Sequence, residues 1–438
     1  MLSHVVAFPE SRRILRLHIA SSLLTHTYWG VVGILPVLLR KGFDASVLET
    51  TVASAAIGVM ALFSIFWKEL YVRMRPGPYL LLTWCLMYLP LAGIAACHRP
   101  QTVLLFYLVS ALAFGAPTAF TGDLLRSCYP PGARSRVFGL VTVAQQVAVI
   151  VSAGLVGHWL DRDAQSFRVY LPAAVLLMGL GVLLQARIAA QPLFTERLVR
   201  RPAEPLRAGL VRAWHHMFRV LRDDPDFRGY EIAFFYYGLA FMFGAALMPF
   251  LVCDRLRLDY AQVTRATQVI YQSVLLICTV PAGYLMERYG PVRVAGWSFA
   301  LLALYPLGLI FARDEAGLTA VMIGNGLAMA GVNLAWTVGP VVLPRDPSQA
   351  GAYVAIHATL VGFRALLGHF PAVMLYAWTG SFEVPLVLAA LLTTVGAAVM
   401  LRLARRRADP GTAPAVPPVG PGPGAGPDLS AGGVQREP

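Results

Sequence analysis

Apolar runs of at least about 18 residues recur along the whole chain, and each is long enough to cross a hydrocarbon core of about 30 Å. Hydrophobic residues make up 57% of the 438 positions and charged residues only 13%. Soluble domains carry about 25% charged residues, so too few charges remain here to cover a soluble surface. Because backbone exposed to lipid must satisfy its own hydrogen bonds, the sequence predicts an all-α polytopic membrane protein.

Twelve spans are predicted, in two groups of six that a basic segment separates. An N-terminal bundle (17–189) and a C-terminal bundle (231–404) are joined by a basic linker (190–230). A cytoplasmic segment (1–16) precedes them, and a Pro/Gly/Ala-rich tail (405–438) that is expected to be disordered follows. The predicted spans are 17–39, 46–67, 78–97, 101–124, 136–159, 168–189, 231–252, 263–286, 291–311, 317–342, 350–377 and 384–403.

The two groups of spans echo each other at an offset near 214 residues. "LPVLLRKGFD" (35–44) is similar to "MPFLVCDRLRLD" (248–259), and "RSRVFGLVT" (134–142) falls opposite "QAGAYVAIH" (349–357). Parallel six-helix repeats of this kind are a transporter architecture.

Arginine and lysine indicate the orientation of the spans. With both termini in the cytoplasm, cytoplasmic segments hold 26 of the 36 basic residues and external ones hold nine, with Arg364 left inside a span. Positive charge favours the cytoplasmic side, so we expect a multi-pass protein of the cytoplasmic membrane. The same distribution between apolar runs argues against a nucleic-acid partner.

The linker contains "LRAGLVRAWHHMFRVLR", which predicts an amphipathic helix. The apolar face holds Leu206, Leu210, Trp214, Met217 and Leu221, and arginines fall largely on the other face. We expect this helix to lie on the anionic membrane surface.

Polar side chains in the spans are candidates for function, because ionisable groups at membrane depth are rare. Apart from tyrosine, spans 3, 6, 9 and 12 carry no ionisable side chain near their centres. The candidates for a substrate cavity are His26, Trp29, Tyr236, Gln268, Tyr271, Gln272, Asn333, Trp336, His357 and Arg364.

The loop between spans 8 and 9 reads "GYLMERYGPVR" and resembles the loop signature Gly-x-Leu-x-Asp-Arg-x-Gly of the major facilitator superfamily (MFS). A second copy, after span 2, is degenerate. Glycine allows close helix approach and tight reversal, while an acid can meet a helix N-terminus or an arginine. The resemblance implies a conformational latch that breaks when the two halves rock, formed by Gly283, Glu287, Arg288, Gly290 and Arg293.

The same resemblance implies a cavity lined by spans 1, 4, 7 and 10, with spans 2, 5, 8 and 11 along the seam between the halves. Arg364 of span 11 would lie at that seam, with no acid at its own depth. Three interpretations of Arg364 stay open: a cavity site for an anion, a structural residue bonded to Gln, Tyr or carbonyl oxygens, and a hidden pair with Asp123. His26 is either a proton carrier or substrate ligand, or a histidine satisfied by its surroundings.

These features predict a secondary active transporter that moves a small solute by alternating access, and Arg364 makes an anionic solute one candidate. A coupling proton or ion, the bilayer and a monomeric state are expected, without a cofactor or metal. No nucleotide motif supports ATP drive. A polytopic membrane enzyme would need a clustered acid, histidine or metal site at one interface, and the sequence offers none, so we do not expect an enzyme. A membrane sensor that binds without transport, or a polytopic membrane enzyme, is the alternative function.

Overall fold

The computed structural model describes residues 9–195, 205–344, 346 and 349–408. Within those residues, twelve helical spans are long and apolar enough to cross a membrane, six before the linker and six after it, which confirms the predicted fold. In chain order, spans 1 to 12 are Ser11–Gly42, Val47–Tyr71, Pro76–Ile94, Pro100–Cys128, Arg136–Arg162, Phe167–Ala189, Pro225–Arg255, Tyr260–Tyr289, Pro291–Phe311, Glu315–Val342, Ala350–Thr379 and Glu383–Arg407.

Proline marks the start of several spans. A proline at the first helical position has the φ angle that a helix needs, and the N–H it lacks has no intrahelical partner there. Span 7 consequently begins at Pro225, ahead of the predicted start at 231. The spans that begin in this way start at Pro76, Pro100, Pro225 and Pro291.

The two halves pack alike. Span 1 lies against spans 5 and 6, and span 7 lies against the equivalent spans 11 and 12. Between the halves, span 2 packs on span 11, and span 8 packs on span 5. Two six-helix pseudo-repeats therefore meet along two equivalent seams.

The linker helix, Leu206–Asp223, defines one side of the bundle, called the linker side here, and the opposite side is the far side. The Trp214 ring centroid lies 6.0 Å from that of Phe363 in span 11, and Met217 is buried. Trp214 and Met217 therefore pack on protein, and the location of the linker helix on the membrane surface stays a prediction. A sequence pattern shows that a face must be covered, but it does not distinguish protein from lipid.

Parts of three predicted segments lie outside the described residues. These are residues 1–8 of the N-terminal segment, 196–204 of the linker and 409–438 of the tail.

On the far side, an ion pair joins equivalent turns of the two halves. Arg40, at the end of span 1, donates from Nε and Nη2 to the two carboxylate oxygens of Asp254, at 3.2 and 3.1 Å. These residues are 214 positions apart, which is the offset of the repeat. Lys41 Nζ also donates to the carbonyl oxygen of Leu258 at 2.9 Å. One half supplies the cations and the other supplies the acceptors, so equivalent turns attract each other.

Asp161, at the far-side end of span 5, caps span 8 of the other half. Its two carboxylate oxygens accept the backbone N–H groups of Tyr260 and Ala261, each at 2.8 Å. Such N–H groups have no intrahelical partner and carry the positive end of the helix dipole. Gly157 permits the approach, because a Cβ there would lie 3.0 Å from the Tyr260 carbonyl oxygen. We call the cross-half contacts of Arg40, Lys41 and Asp161 the far-side clamp.

Reversing one charge of the clamp should open the far side, and exchanging both charges should close it again. Arg40→Asp removes an ion pair worth ~1 kcal/mol, or about fivefold in population, and adds repulsion from Asp254. Arg40→Asp/Asp254→Arg restores the attraction. The measurement is the alkylation rate of Thr267→Cys, in the wall of the central cavity, by a membrane-impermeant maleimide in a chain without its five native cysteines.

The control is the Arg265–Glu315 ion pair, which lies within one half. Reversing Arg265 should leave the alkylation rate unchanged. Equal rates in the parent chain, Arg40→Asp and the exchanged variant would show that the clamp does not control access.

Candidate functional site

A cavity of about 830 Å³ lies between the two halves and is called the central cavity here. It extends toward the far-side clamp, since Val37 and Val263 belong to its wall. Seven of the candidate residues line it: His26, Trp29, Gln268, Tyr271, Gln272, Asn333 and Trp336.

The winding of span 8 positions three of these side chains. Arg265–Ile270 form a π-helical segment, and α-helix resumes at Tyr271. Such segments are frequent at functional sites, because the extra residue per turn redirects the side chains. Gln268 lies in this segment and also meets span 1 at Gly33, where a Cβ would lie 3.0 Å from its Oε1. Glycine at that position leaves room for the amide.

His26 lies on span 1 one turn before Trp29. Its Nδ1 donates to the carbonyl oxygen of Ser22 at 3.1 Å, which leaves Nε2 as an acceptor in the neutral ring. The Trp29 ring packs edge-on against Phe114 of span 4, with centroids 5.6 Å apart. The hydrogen bond satisfies one ring nitrogen of His26 and leaves the other for a ligand.

Amides and aromatic rings dominate the polar chemistry of the central cavity. Within the described part of the chain, no Asp, Glu, Lys or Arg contributes to its wall. Burying an ion without a charged partner is costly, whereas amides both donate and accept hydrogen bonds. The described wall therefore offers hydrogen-bond donors, acceptors and flat rings, without a residue of fixed charge. Its amides are Gln145, Gln146, Gln268, Gln272, Asn325 and Asn333.

Tyr305 is a wall residue that the sequence analysis missed, because span 9 was expected to lie outside the cavity. It reaches the cavity past Gly244 of span 7, where a Cβ would lie 2.9 Å from its ring. Gly244 of span 7 was the sequence feature that could have indicated close approach of a bulky side chain from a neighbouring span. Span 4, which was expected to line the cavity, contributes none of the described wall residues.

Arg364 is not on the wall, and the prediction that it faces the cavity is wrong. Its side chain is 2% exposed. Nη1 donates to the carbonyl oxygen of Phe234 at 2.8 Å, Nε to that of Leu360 at 3.2 Å, and Nη2 to that of His357 at 3.3 Å. The guanidinium lies against Gly238 of span 7. Arg364 thus joins spans 7 and 11 through carbonyl oxygens, one of the three interpretations left open above.

His357 is also off the wall, and it has an acidic partner. Its Nδ1 lies 2.7 Å from Oε1 of Glu231, and the two side chains are 1% and 4% exposed. The expectation that no acid lies near Arg364 is therefore wrong. Glu231 was taken for the end of span 7, but the helix begins at Pro225 and places it nearly two turns inside. Phe234, whose carbonyl binds Arg364, follows Glu231 by one turn.

Trp336 links the Glu231–His357 pair to the central cavity. It belongs to the cavity wall, and its ring centroid lies 5.2 Å from that of His357. Among the described residues, Oε2 of Glu231 and Nε2 of His357 have no hydrogen-bond partner. A buried acid–base pair, each member of which has one atom without a hydrogen-bond partner among the described residues, thus lies directly behind Trp336 of the cavity wall.

Tyr236 and Asp123 differ from expectation as well. Tyr236 is absent from the cavity wall and packs toward span 12, where its Cβ is 3.4 Å from the place of a Cβ on Gly396. Asp123 pairs with Arg126 at 2.9 Å rather than with Arg364. The structure therefore does not support the alternative in which Asp123 pairs with Arg364.

The loop motif after span 8 is in an open arrangement. Gly290 has φ +79°, a conformation that favours glycine, as the tight reversal requires. Glu287 is exposed and has no hydrogen bond or ion pair among the described residues, and a Cβ at Gly283 would meet no atom of that part within 4 Å. Arg288 lies over the neighbouring Tyr289 ring and Arg293 is half-buried. The latch role of these residues stays a prediction, and a latch on the linker side would be undone while the far side is closed.

Two matched six-helix halves around a polar cavity are a transporter architecture. The family model of the Major Facilitator Superfamily matches residues 17–270, and the chain belongs to that superfamily. The superfamily is one of transporters, not enzymes.

Solved structures agree on the fold. A mutant of the nucleoside transporter NupG is 13% identical, with a TM-score of 0.71 over 89% of this chain and 99% of that one. A POT family transporter in complex with a thioalcohol-conjugated peptide is 13% identical, with a TM-score of 0.70 over 93% and 100%. The human organic anion transporter MFSD10 (TETRAN) is 16% identical, with a TM-score of 0.65 over 90% and 100%. No curated protein sequence matches the chain.

If Arg364 holds spans 7 and 11 together, Gly238→Ala should lower the midpoint of thermal unfolding by several degrees. A Cβ there would lie 3.0 Å from Nη1 and 3.1 Å from Nε of Arg364. Alanine otherwise stabilises helices by up to ~1 kcal/mol relative to glycine, so a loss reports the displaced guanidinium. Arg364→Lys should act in the same direction, because an ammonium lacks the planar fork that reaches three carbonyls.

Gly154→Ala in span 5 is the control, since its Cβ would meet only ordinary contact with Val269 at 3.6 Å. It should keep or raise the midpoint measured in detergent. Unchanged midpoints for both Gly238→Ala and Arg364→Lys would exclude a structural role for the arginine.

Proposed function

We propose that the protein is a secondary active transporter of a small solute in the cytoplasmic membrane, that it works as a monomer, and that both of its termini lie in the cytoplasm. The observation that carries this proposal is the central cavity, which lies between two pseudo-repeats joined on the far side by the clamp. Ion pairs near a surface contribute little, so the clamp can break and reform as the halves rock. The linker side is assigned to the cytoplasm from the arginine and lysine distribution.

The proposed solute is uncharged and polar, with at least one flat ring. Amides and aromatic side chains supply its binding groups, and no charged side chain of the described residues lines the wall. One structural neighbour is a nucleoside transporter, and nucleosides have this chemistry. An anionic solute is less suited to the cavity than the sequence suggested, because carbonyl oxygens occupy the donors of Arg364.

The proposed driving ion is a proton that the Glu231–His357 pair binds. A carboxylate and an imidazole 2.7 Å apart can share one proton, and each has a further unpartnered atom in the described structure. Trp336 touches both the cavity and His357, so a bound solute and the proton site can influence each other.

A thermal-shift screen of the purified protein against nucleosides, sugars, organic anions and organic cations tests the class of solute. Stabilisation by uncharged ring compounds, followed by their uptake into proteoliposomes, would support the proposal. Stabilisation by organic anions alone would contradict the assignment of the cavity chemistry. Binding without uptake or exchange would indicate the alternative function, a membrane sensor.

Glu231→Gln should abolish accumulation of the solute driven by a proton gradient and retain solute exchange across the membrane. Glutamine keeps the size of the side chain but cannot bind and release a proton. Solute exchange requires no net proton transport, so it should persist in this variant. The measurement compares gradient-driven uptake with counterflow in proteoliposomes. Glu383→Gln, at an exposed far-side carboxylate, is the control and should retain both. Gradient-driven accumulation by Glu231→Gln would rule out this residue as the proton carrier.

A further inference from the structure

A second cavity, of about 1030 Å³, lies on the linker side and is called the linker cavity here. The linker helix forms one wall, and the ends of spans 2 and 11 form the others. Span 2 belongs to one half and span 11 to the other, so this cavity touches both halves and the segment that joins them. It is separate from the central cavity, since the two share no described wall residue.

The wall of the linker cavity is strongly basic. It carries Lys68, Arg207, Arg212 and Arg219 against a single acid among the described residues, Glu69. That acid is already engaged, because Arg73 donates to its Oε2 at 2.7 Å. Lys68 and Arg212 already have interactions within the protein, so the exposed Arg207 and Arg219 are the cations that can attract an anion. Their guanidinium groups match phosphate oxygens with paired donors.

The floor of the linker cavity is apolar. Ile65, Met217 and Ile356 contribute to it and are buried. On the linker helix itself, Val211 and Phe218 are 47% and 62% exposed, beside the arginines. The ends of two membrane spans and uncovered apolar side chains place the cavity where headgroups meet acyl chains.

We propose that the linker cavity binds the phosphate group of an anionic phospholipid. Arg207 and Arg219 hold the phosphate, and the apolar floor and the exposed apolar side chains of the linker helix hold the start of the acyl chains. Soluble phosphate shares the first interaction and lacks the second. This site requires neither the proposed solute nor a coupling proton.

The linker cavity adjoins two buried residues that connect the linker helix with spans 7 and 11. Asp224, just after the linker helix, accepts the hydroxyl of Tyr353 at 2.8 Å. It also caps span 7 by accepting the N–H groups of Asp226 and Phe227. Tyr353 lies on span 11 between cavity residues and one turn before His357.

The test uses the full chain in detergent and measures its thermal midpoint during titration with short-chain phosphatidylglycerol. Matched titrations use phosphatidylcholine of the same chain length and inorganic phosphate. Phosphatidylglycerol should stabilise the protein at concentrations at least about tenfold below those of the other two probes. Equal potency of inorganic phosphate would assign the cavity to a soluble anion and overturn the lipid proposal, as would equal potency of phosphatidylcholine.

Two variants locate the effect. Arg207→Gln/Arg219→Gln removes two cavity cations and should weaken the phosphatidylglycerol response by at least about tenfold. Arg222→Gln/Arg405→Gln removes two exposed arginines outside the cavity and should leave the response unchanged. Equal losses in the two variants would show diffuse charge attraction and overturn the proposal.

A third variant covers the case in which loss of the two arginines prevents folding. A Cβ at Gly351 would meet no described atom within 4 Å, so Gly351→Trp can fill the linker cavity with no change in charge. It should abolish the selective response to phosphatidylglycerol. An undiminished response in Gly351→Trp would place the lipid elsewhere and overturn the proposal.

Discussion

The charges buried between spans 7 and 11 are the constraint on which much of the structure depends. A guanidinium inside a bilayer costs at least ~2.5–3.5 kcal/mol on insertion scales unless the protein solvates it. Here three carbonyl oxygens accept hydrogen bonds from Arg364, and one of them belongs to Phe234 of span 7. Glu231 lies one turn before Phe234 on the same span. Removing one partner of such a cluster leaves an uncompensated charge, so these residues depend on one another. The close packing of spans 7 and 11 follows from this dependence.

The two seams between the halves are equivalent by pseudo-symmetry but carry different contacts. Spans 2 and 11 form one seam, and spans 5 and 8 form its equivalent. The far-side clamp acts at the turn after span 1 and at the 5–8 seam, where Asp161 caps a helix of the other half. The linker cavity lies at the end of the 2–11 seam. The same repeat thus provides an ion-paired contact on one side of the bundle and a basic pocket on the other.

Much of the fold follows from the sequence, because lipid leaves the backbone few choices. Twelve apolar runs, the basic linker and the offset between the halves led to the observed arrangement of spans. Seven of the ten candidate cavity residues, among them His26, Gln268 and Trp336, line the central cavity, since polar side chains in a span avoid lipid.

The errors in the site have a common cause. Helical periodicity shows which residues share a face, but it does not show what that face meets. Arg364 and His357 share a face of span 11, yet that face meets span 7 rather than the cavity. The partner Glu231 was missed because the helix start was placed six residues late, at 231 instead of Pro225. Trp214 and Met217 of the linker helix were assigned to lipid for the same reason. Tyr305 was overlooked because its whole span was expected to lie outside the cavity.

The number of protons exchanged when the solute binds is the most direct test of the role proposed for the buried cluster. Calorimetric titrations with a solute identified by the screen, in buffers of different ionisation enthalpy, report that number. If Glu231 carries the coupling proton, wild type should exchange protons on binding, Glu231→Gln should exchange essentially none, and Glu383→Gln should behave as wild type. The same nonzero number in wild type and Glu231→Gln would contradict proton carriage by this residue.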